Sequence, residues 1–189
     1  SSAASDVYKR QYYDRYPADV ERVAALADTL EAQKPVLPDG SPMTVERLQL
    51  MGSDFGMKPS FERMHWIIDH AFVDGDGTLA CGASVSDSFL MRAFERTNTR
   101  TNPLYWTLQE FIYANGDTMP IRWAAAEEKA HRAEFDTLAR PLMFTGEAMF
   151  PWMFEQMPEL MPFKPAMDLL MEDTSWDKIY DPQRLACNE

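Results

Sequence analysis

The chain of 189 residues is poor in cysteine and in positive charge, and it has no long apolar run. Two cysteines, Cys81 and Cys187, supply neither a disulfide framework nor a metal quartet. They read as free buried thiols and fit a reducing, cytoplasmic compartment. Eighteen lysines and arginines face thirty aspartates and glutamates, and the formal charge of −12 repels phosphate backbones and anionic lipid heads. No nucleic acid partner is expected. No stretch reaches the ~20 apolar residues that span a bilayer, and no charged segment precedes an apolar one in the manner of a signal peptide. The expectation is no membrane and no secretion. The three histidines, His65, His70 and His131, include no pair one helical turn apart with a third ligand nearby, so no metal is expected, and no cofactor motif is present. A nucleophile elbow is missing too: in Gly52-Ser53-Asp54-Phe55-Gly56 the serine stands one place from the centre that a Gly-x-Ser-x-Gly turn requires.

What is present suits a folded helical protein. A hydrophobic fraction of 46% and an aromatic fraction of 12% exclude a disordered polymer, and the length is sufficient for one domain. From Asp19 the apolar positions Val20, Val23, Ala24, Ala27 and Leu30 recur at helical spacing, which predicts a helix over residues 17–33. Leu37-Pro38-Asp39-Gly40-Ser41-Pro42 has turn chemistry, and Thr44 is placed to cap a short helix through Met51 that ends at Gly52. Ser60 is read as the cap of a helix whose face carries Phe61, Met64, His65, Ile68 and Phe72. Further helices are expected from Asn102-Pro103 to Asn115-Gly116, over about 120–138, and over about 164–172. Alternation with a period of two is essentially missing, so the fold class is all-α, read as one compact helical unit.

Candidate motifs mostly dissolve on inspection. Asp74-Gly75-Asp76-Gly77-Thr78-Leu79 resembles a haloacid-dehalogenase phosphatase loop, but that chemistry needs a preceding buried strand, and the residues before it are helix-periodic. A solvated turn is the expectation. Glu127 and Glu128 beside Lys129 form a solvated face. The thirteen methionines read as fillers of an irregular core. The stretch 142–162 stands apart, dense in large apolar side chains and punctuated by prolines, like a wall of a binding site. Within it Glu147 lies among Phe144, Phe150, Trp152 and Phe154. Ionised, it needs a cationic partner there, and a ligand ammonium would serve; the alternatives are capping a helix that starts near Ala148 or pairing with Arg140.

From Tyr12-Tyr13-Asp14-Arg15-Tyr16-Pro17 through Thr44-Val45-Glu46-Arg47-Leu48 and Met51-Gly52, then Phe144-Thr145-Gly146-Glu147-Ala148-Met149-Phe150-Pro151-Trp152-Met153-Phe154, to Leu185-Ala186-Cys187-Asn188-Glu189, the chain resembles bacterial prolyl aminopeptidases (proline iminopeptidases). The resemblance implies an irregular helical cap inserted into an α/β-hydrolase, with the Ser-Asp-His triad in a hydrolase core outside residues 12–189. It also implies peptides with an N-terminal proline as substrates. Glu147 and Glu189 are the implied ligands of the substrate ammonium. Phe150 and Trp152 are either an apolar wall for the proline ring or core packing. Residues 1–11 lack an initiating methionine and resemble translated sequencing-adaptor sequence, so they are expected to be non-native; the helical cap is expected over 12–189, cut at its end. The rival readings are a cap from an esterase or epoxide hydrolase, and an autonomous helical module that docks a partner.

Overall fold

The computed structural model describes residues 10–73, 83–113 and 120–175, except for the side chain of Tyr113. Among the described residues the regular structure is helical, with two isolated β-bridges, Val36 to Pro42 and Phe72 to Val85. The all-α expectation holds. The Asp74 to Leu79 turn, the closing Asn115-Gly116, Cys81, Cys187 and Glu189 lie outside the described residues. Contacts divide the chain into two compact units, Ser1–Asn98 with Arg132–Glu147, and Thr99–His131 with Ala148–Glu189. Loop composition gave no sign of this partition.

The first unit holds a helical segment over residues 10–15 (α1), α2 Asp19–Gln33, α3 Val45–Leu50, α4 Ser60–Asp69 and α5 Asp87–Thr97. Val23, Leu26, Ala27 and Leu30 are the buried apolar positions of α2, one stripe at i, i+3, i+4, i+7. The helix stops at Lys34, which takes a left-handed conformation and donates its N–H to the Leu30 carbonyl. In the following turn Gly40 has φ +81°, and Asp39 accepts from both the N–H and the hydroxyl of Ser41 at 3.0 and 2.6 Å, as its turn chemistry predicts. Thr44 caps α3 by accepting from the Arg47 N–H. Ser60 does not cap α4: it is the first helical residue, and its N–H donates to the Met57 carbonyl at 3.0 Å. Ser86 does cap α5, accepting from the Phe89 N–H at 3.1 Å.

Rings fill the middle of this unit. Tyr12 stacks on Phe55 with centroids 5.0 Å apart, and Phe144 meets Phe55 and Tyr12 edge-on at 5.2 and 5.9 Å, geometries that aromatic quadrupoles favour. The buried carboxylate beside them is bonded. Asp19, fully buried, accepts from Tyr12 at 2.5 Å, from Arg22 at 3.2 Å, and shares a 2.9 Å hydrogen bond with His65. Arg22 reaches Asp69 of α4 as well, at 2.9 Å. His65 is thus a satisfied residue at the rim of the core, stacked on Tyr16, as expected of a lone histidine on an apolar face. Burial, and after it the bond to Asp19, hold the Tyr12 phenol far above its ordinary range, so it remains a donor.

The second unit holds α6 Pro103–Tyr113, α7 Ala124–Ala130, α8 Met153–Gln156 and α9 Lys164–Glu172. Its interior gathers Phe111, Met149, Phe150, Met153, Phe154, Met157, Leu160, Met167 and Met171, all buried. A single helix over about 120–138 is not found. Arg122 and Trp123 have positive φ, α7 ends at Ala130, and a separate 3₁₀ turn at Ala133–Phe135 follows in the first unit. Glu127 and Glu128 are exposed, as expected. No described helix is long and apolar enough to cross a membrane.

Candidate functional site

The apolar stretch 142–162 is mostly interior. Leu142, Met143, Phe144 and Thr145 are buried in the first unit, and Met149, Phe150, Met153, Phe154, Met157 and Leu160 in the second. Burying a side chain of this size contributes about 1.5–3 kcal/mol, which accounts for the density of large residues without invoking a ligand.

Glu147 closes the first unit and is exposed. An exposed carboxylate is open to solvent and carries no large desolvation cost. Residues 148–150 are not helical, and the next helix is α8 at Met153, so Glu147 does not cap a helix near Ala148. Arg140 forms an ion pair with Asp28.

The segment leading to Glu147 is held at fixed points. The fully buried Gln49 side chain donates to the carbonyls of Met143 and Phe135 at 2.9 and 3.0 Å. The Thr145 N–H donates to the Gln49 carbonyl at 2.8 Å, and the Tyr13 hydroxyl to the Leu142 carbonyl at 2.5 Å. Gly52 lies beneath. A Cβ there would stand 2.4 Å from the Phe144 Cβ and 2.6 Å from the Thr145 carbonyl oxygen. Gly52 is therefore needed for close backbone approach within a 3₁₀ turn, Met51–Gly56, and not as the helix terminator its place in the sequence predicts. Thr145-Gly146-Glu147 is thus an exposed acid on a backbone pinned immediately before it, and pinning of this kind is what precise placement of a ligand-binding group requires.

Phe150 and Trp152 belong to the second unit. Phe150 is buried and Trp152 half-buried, their rings stacked 6.3 Å apart at 12°; the Lys129 ammonium lies 5.6 Å from the Phe150 centroid. Of the two, Trp152 presents the surface and Phe150 supports it. Glu189 is outside the described residues. Sequence reasoning passed over Glu159, whose Oε1 accepts from the N–H and hydroxyl of Thr99 at 2.7 and 3.0 Å, and whose Oε2 is buried without a hydrogen-bond partner among the described residues. Its signal was available: an acid between Pro158 and Leu160 in an apolar run. Among the described residues no His, Cys, Asp and Glu cluster could hold a metal.

Comparison with known proteins gives these positions a context. No family profile matches the chain. It is 36% identical over 184 residues to a proline iminopeptidase of Aeromonas sobria, an alignment covering 95% of this chain and 40% of that protein. It is 31% identical over 180 residues to the proline iminopeptidase aneH of Aspergillus aculeatus, covering 94% of this chain and 38% of that one. The chain is therefore homologous to proline iminopeptidases along nearly its whole length, and it spans about two-fifths of the curated relatives it matches.

Proposed function

We propose that this chain, a sequence relative of proline iminopeptidases, is the substrate-selecting helical cap of a serine aminopeptidase that releases N-terminal proline from peptides. The observation that carries the reading is similarity along 95% of the chain to a protein of that name, joined to an all-α architecture over the described residues and a sequence without a nucleophile elbow. In this reading the triad and the oxyanion donors belong to the part of such enzymes that the chain does not span, an α/β-hydrolase core that is the cap's partner. A core serine gives its proton to histidine and attacks the first peptide carbonyl. The C–N bond breaks, the shortened peptide leaves as an amine that takes that proton, and water then hydrolyses the prolyl ester to release proline.

The cap's own residues bind and orient. Glu147 takes the substrate ammonium by charge-assisted hydrogen bonds, with Glu189 as a second acid for the same task. Trp152, supported by Phe150, supplies apolar surface for the pyrrolidine ring. The setting is cytoplasmic, in keeping with a chain of two cysteines.

Two assays test the reading. The 189-residue chain should not turn over a proline anilide, since its sequence carries no nucleophile elbow; turnover that survives removal of contaminating peptidases contradicts this. With native flanking sequence restored, a serine-directed fluorophosphonate should label a serine outside residues 12–189. Labelling confined to Ser53 or another serine of this chain would overturn the proposal.

A further inference from the structure

We propose that the groove between α4 and α5 binds a small organic oxyanion, a carboxylate or phosphate carried on a flat apolar body. The site lies wholly within the first unit and stands independently of the aminopeptidase reading. It is a half-open groove with a volume of about 440 Å³, a size within the range of small-molecule sites. The helical repeat builds it: Arg63, Trp66 and Ile67 on α4 and His70 at its C-cap recur at i, i+3, i+4, i+7, and Phe89, Arg92 and Arg96 at i, i+3, i+7 on α5, beside Ser88. These spacings put each set on one helix face. Ile67 and Phe89 are buried and form an apolar floor.

The charge of the groove opposes that of the chain. Among the described residues its lining holds three arginines and no acid, in a protein of net charge −12. Two carboxylates stand behind them. Asp54 takes Arg63 at 2.5 Å and Arg96 at 3.6 Å, and Glu95 takes Arg92 at 2.8 Å. Among the described residues, the three guanidinium groups exceed by one the two carboxylates they pair with, while Asp69, 3.9 Å from His70 at the rim, is itself paired with Arg22. Arg92 and Glu95 are both largely exposed at i, i+3, a kind of pair that contributes little and yields to competition. Arg92 is therefore the cation an incoming oxyanion can recruit, and its planar fork suits carboxylate and phosphate alike. The flat part of the ligand is specified by Trp66, 62% exposed and 5.7 Å from the His70 ring. A large indole facing water at the mouth of a cationic groove offers a face for stacking.

The test titrates 3-phenylpropionate, phenyl phosphate, inorganic phosphate and the neutral 3-phenylpropionamide into the 189-residue chain at constant ionic strength, followed by calorimetry and NMR. The two aromatic anions should bind about tenfold or more tighter than the amide, the usual effect of a charge-assisted bond. Arg92→Gln should weaken both anions by a similar factor with an unchanged melting temperature. Trp66→Ala should weaken the aromatic probes and leave inorganic phosphate unaffected. Equal affinity for the amide, affinity unchanged in Arg92→Gln, or no saturable binding of any anion overturns the proposal. Inorganic phosphate binding as tightly as phenyl phosphate overturns the requirement for an apolar body.

Discussion

Both units bury rings and methionines, in different proportion: the first packs Tyr12, Phe55, Phe61 and Phe144 ring against ring and bonds its buried Asp19, Arg47 and Gln49 to partners far along the chain, whereas the second sets Met149, Met153, Met157, Met167 and Met171 among Phe111, Phe150 and Phe154. Rings with directional contacts and bonded polar groups admit few alternative packings. Unbranched thioether chains fill irregular space and re-pack with little loss. The difference teaches that the backbone leading to Glu147 is anchored in the more highly specified of the two interiors, while Phe150 and Trp152 stand on the more adaptable one. In the proposed reading, a carboxylate that must meet one ammonium benefits from the former, and an apolar surface that accommodates a ring tolerates the latter.

Substitutions can break or sharpen this contrast. Phe144→Ala removes a ring that meets Tyr12, Tyr13 and Phe55, and it should cost about 3–5 kcal/mol in chemical denaturation; a loss below ~1.5 kcal/mol would show the ring cluster to be as forgiving as a methionine core. Gly52→Ala forces a Cβ against the Thr145 carbonyl and should cost about 1–3 kcal/mol through overpacking. If the same variant is as stable as the wild type, the segment before Glu147 is not pinned as described. Met153→Leu conserves volume inside the second unit and should cost less than ~1.5 kcal/mol.

The smallest effect is expected at Glu110. Burial raises its carboxyl above the ordinary 4.5, opposed by weaker bonds from the Ala125 and Ala124 amides. The folded state thus holds this proton more tightly than the unfolded one. The corresponding stabilisation is complete below the unfolded pKa and is lost as pH rises through the raised folded value. Glu110→Gln should therefore raise the melting temperature slightly at pH 7 and flatten its decline above about pH 4.5. An unchanged pH profile would show that the carboxyl is solvated.

Much of the fold was legible where one local signal decided it. The end of α2, the bounds of α9, the Thr44 cap and the Asp39-Gly40 turn follow from periodicity and side-chain chemistry, while α2 begins at Asp19, two residues later than expected. Where tertiary contacts decide, the sequence misled. Alanine, glutamate and lysine in α7 have high helix propensity, yet no residue of that helix is buried, and the chain leaves it so that Phe135 can join the first unit's interior. Helix α5 escaped notice because polar residues surround its buried Phe89 and Ala93. For the candidate site, the Thr-Gly-Glu motif was legible through resemblance. Its anchoring was not, since Gln49, Gly52 and Tyr13 are far from it in sequence and only close approach reveals their role.

The most direct test of the account is Glu147→Gln in the enzyme with its native flanks restored, assayed on a proline anilide and on an acyl ester that lacks an amino group. Glutamine keeps the shape and removes the charge, and a lost charge-assisted bond of about 1.5–3 kcal/mol lowers kcat/KM by roughly one to two powers of ten. The account predicts that loss for the anilide alone, with the melting temperature unchanged because Glu147 is exposed. Equal losses on both substrates, or no loss on either, would contradict it.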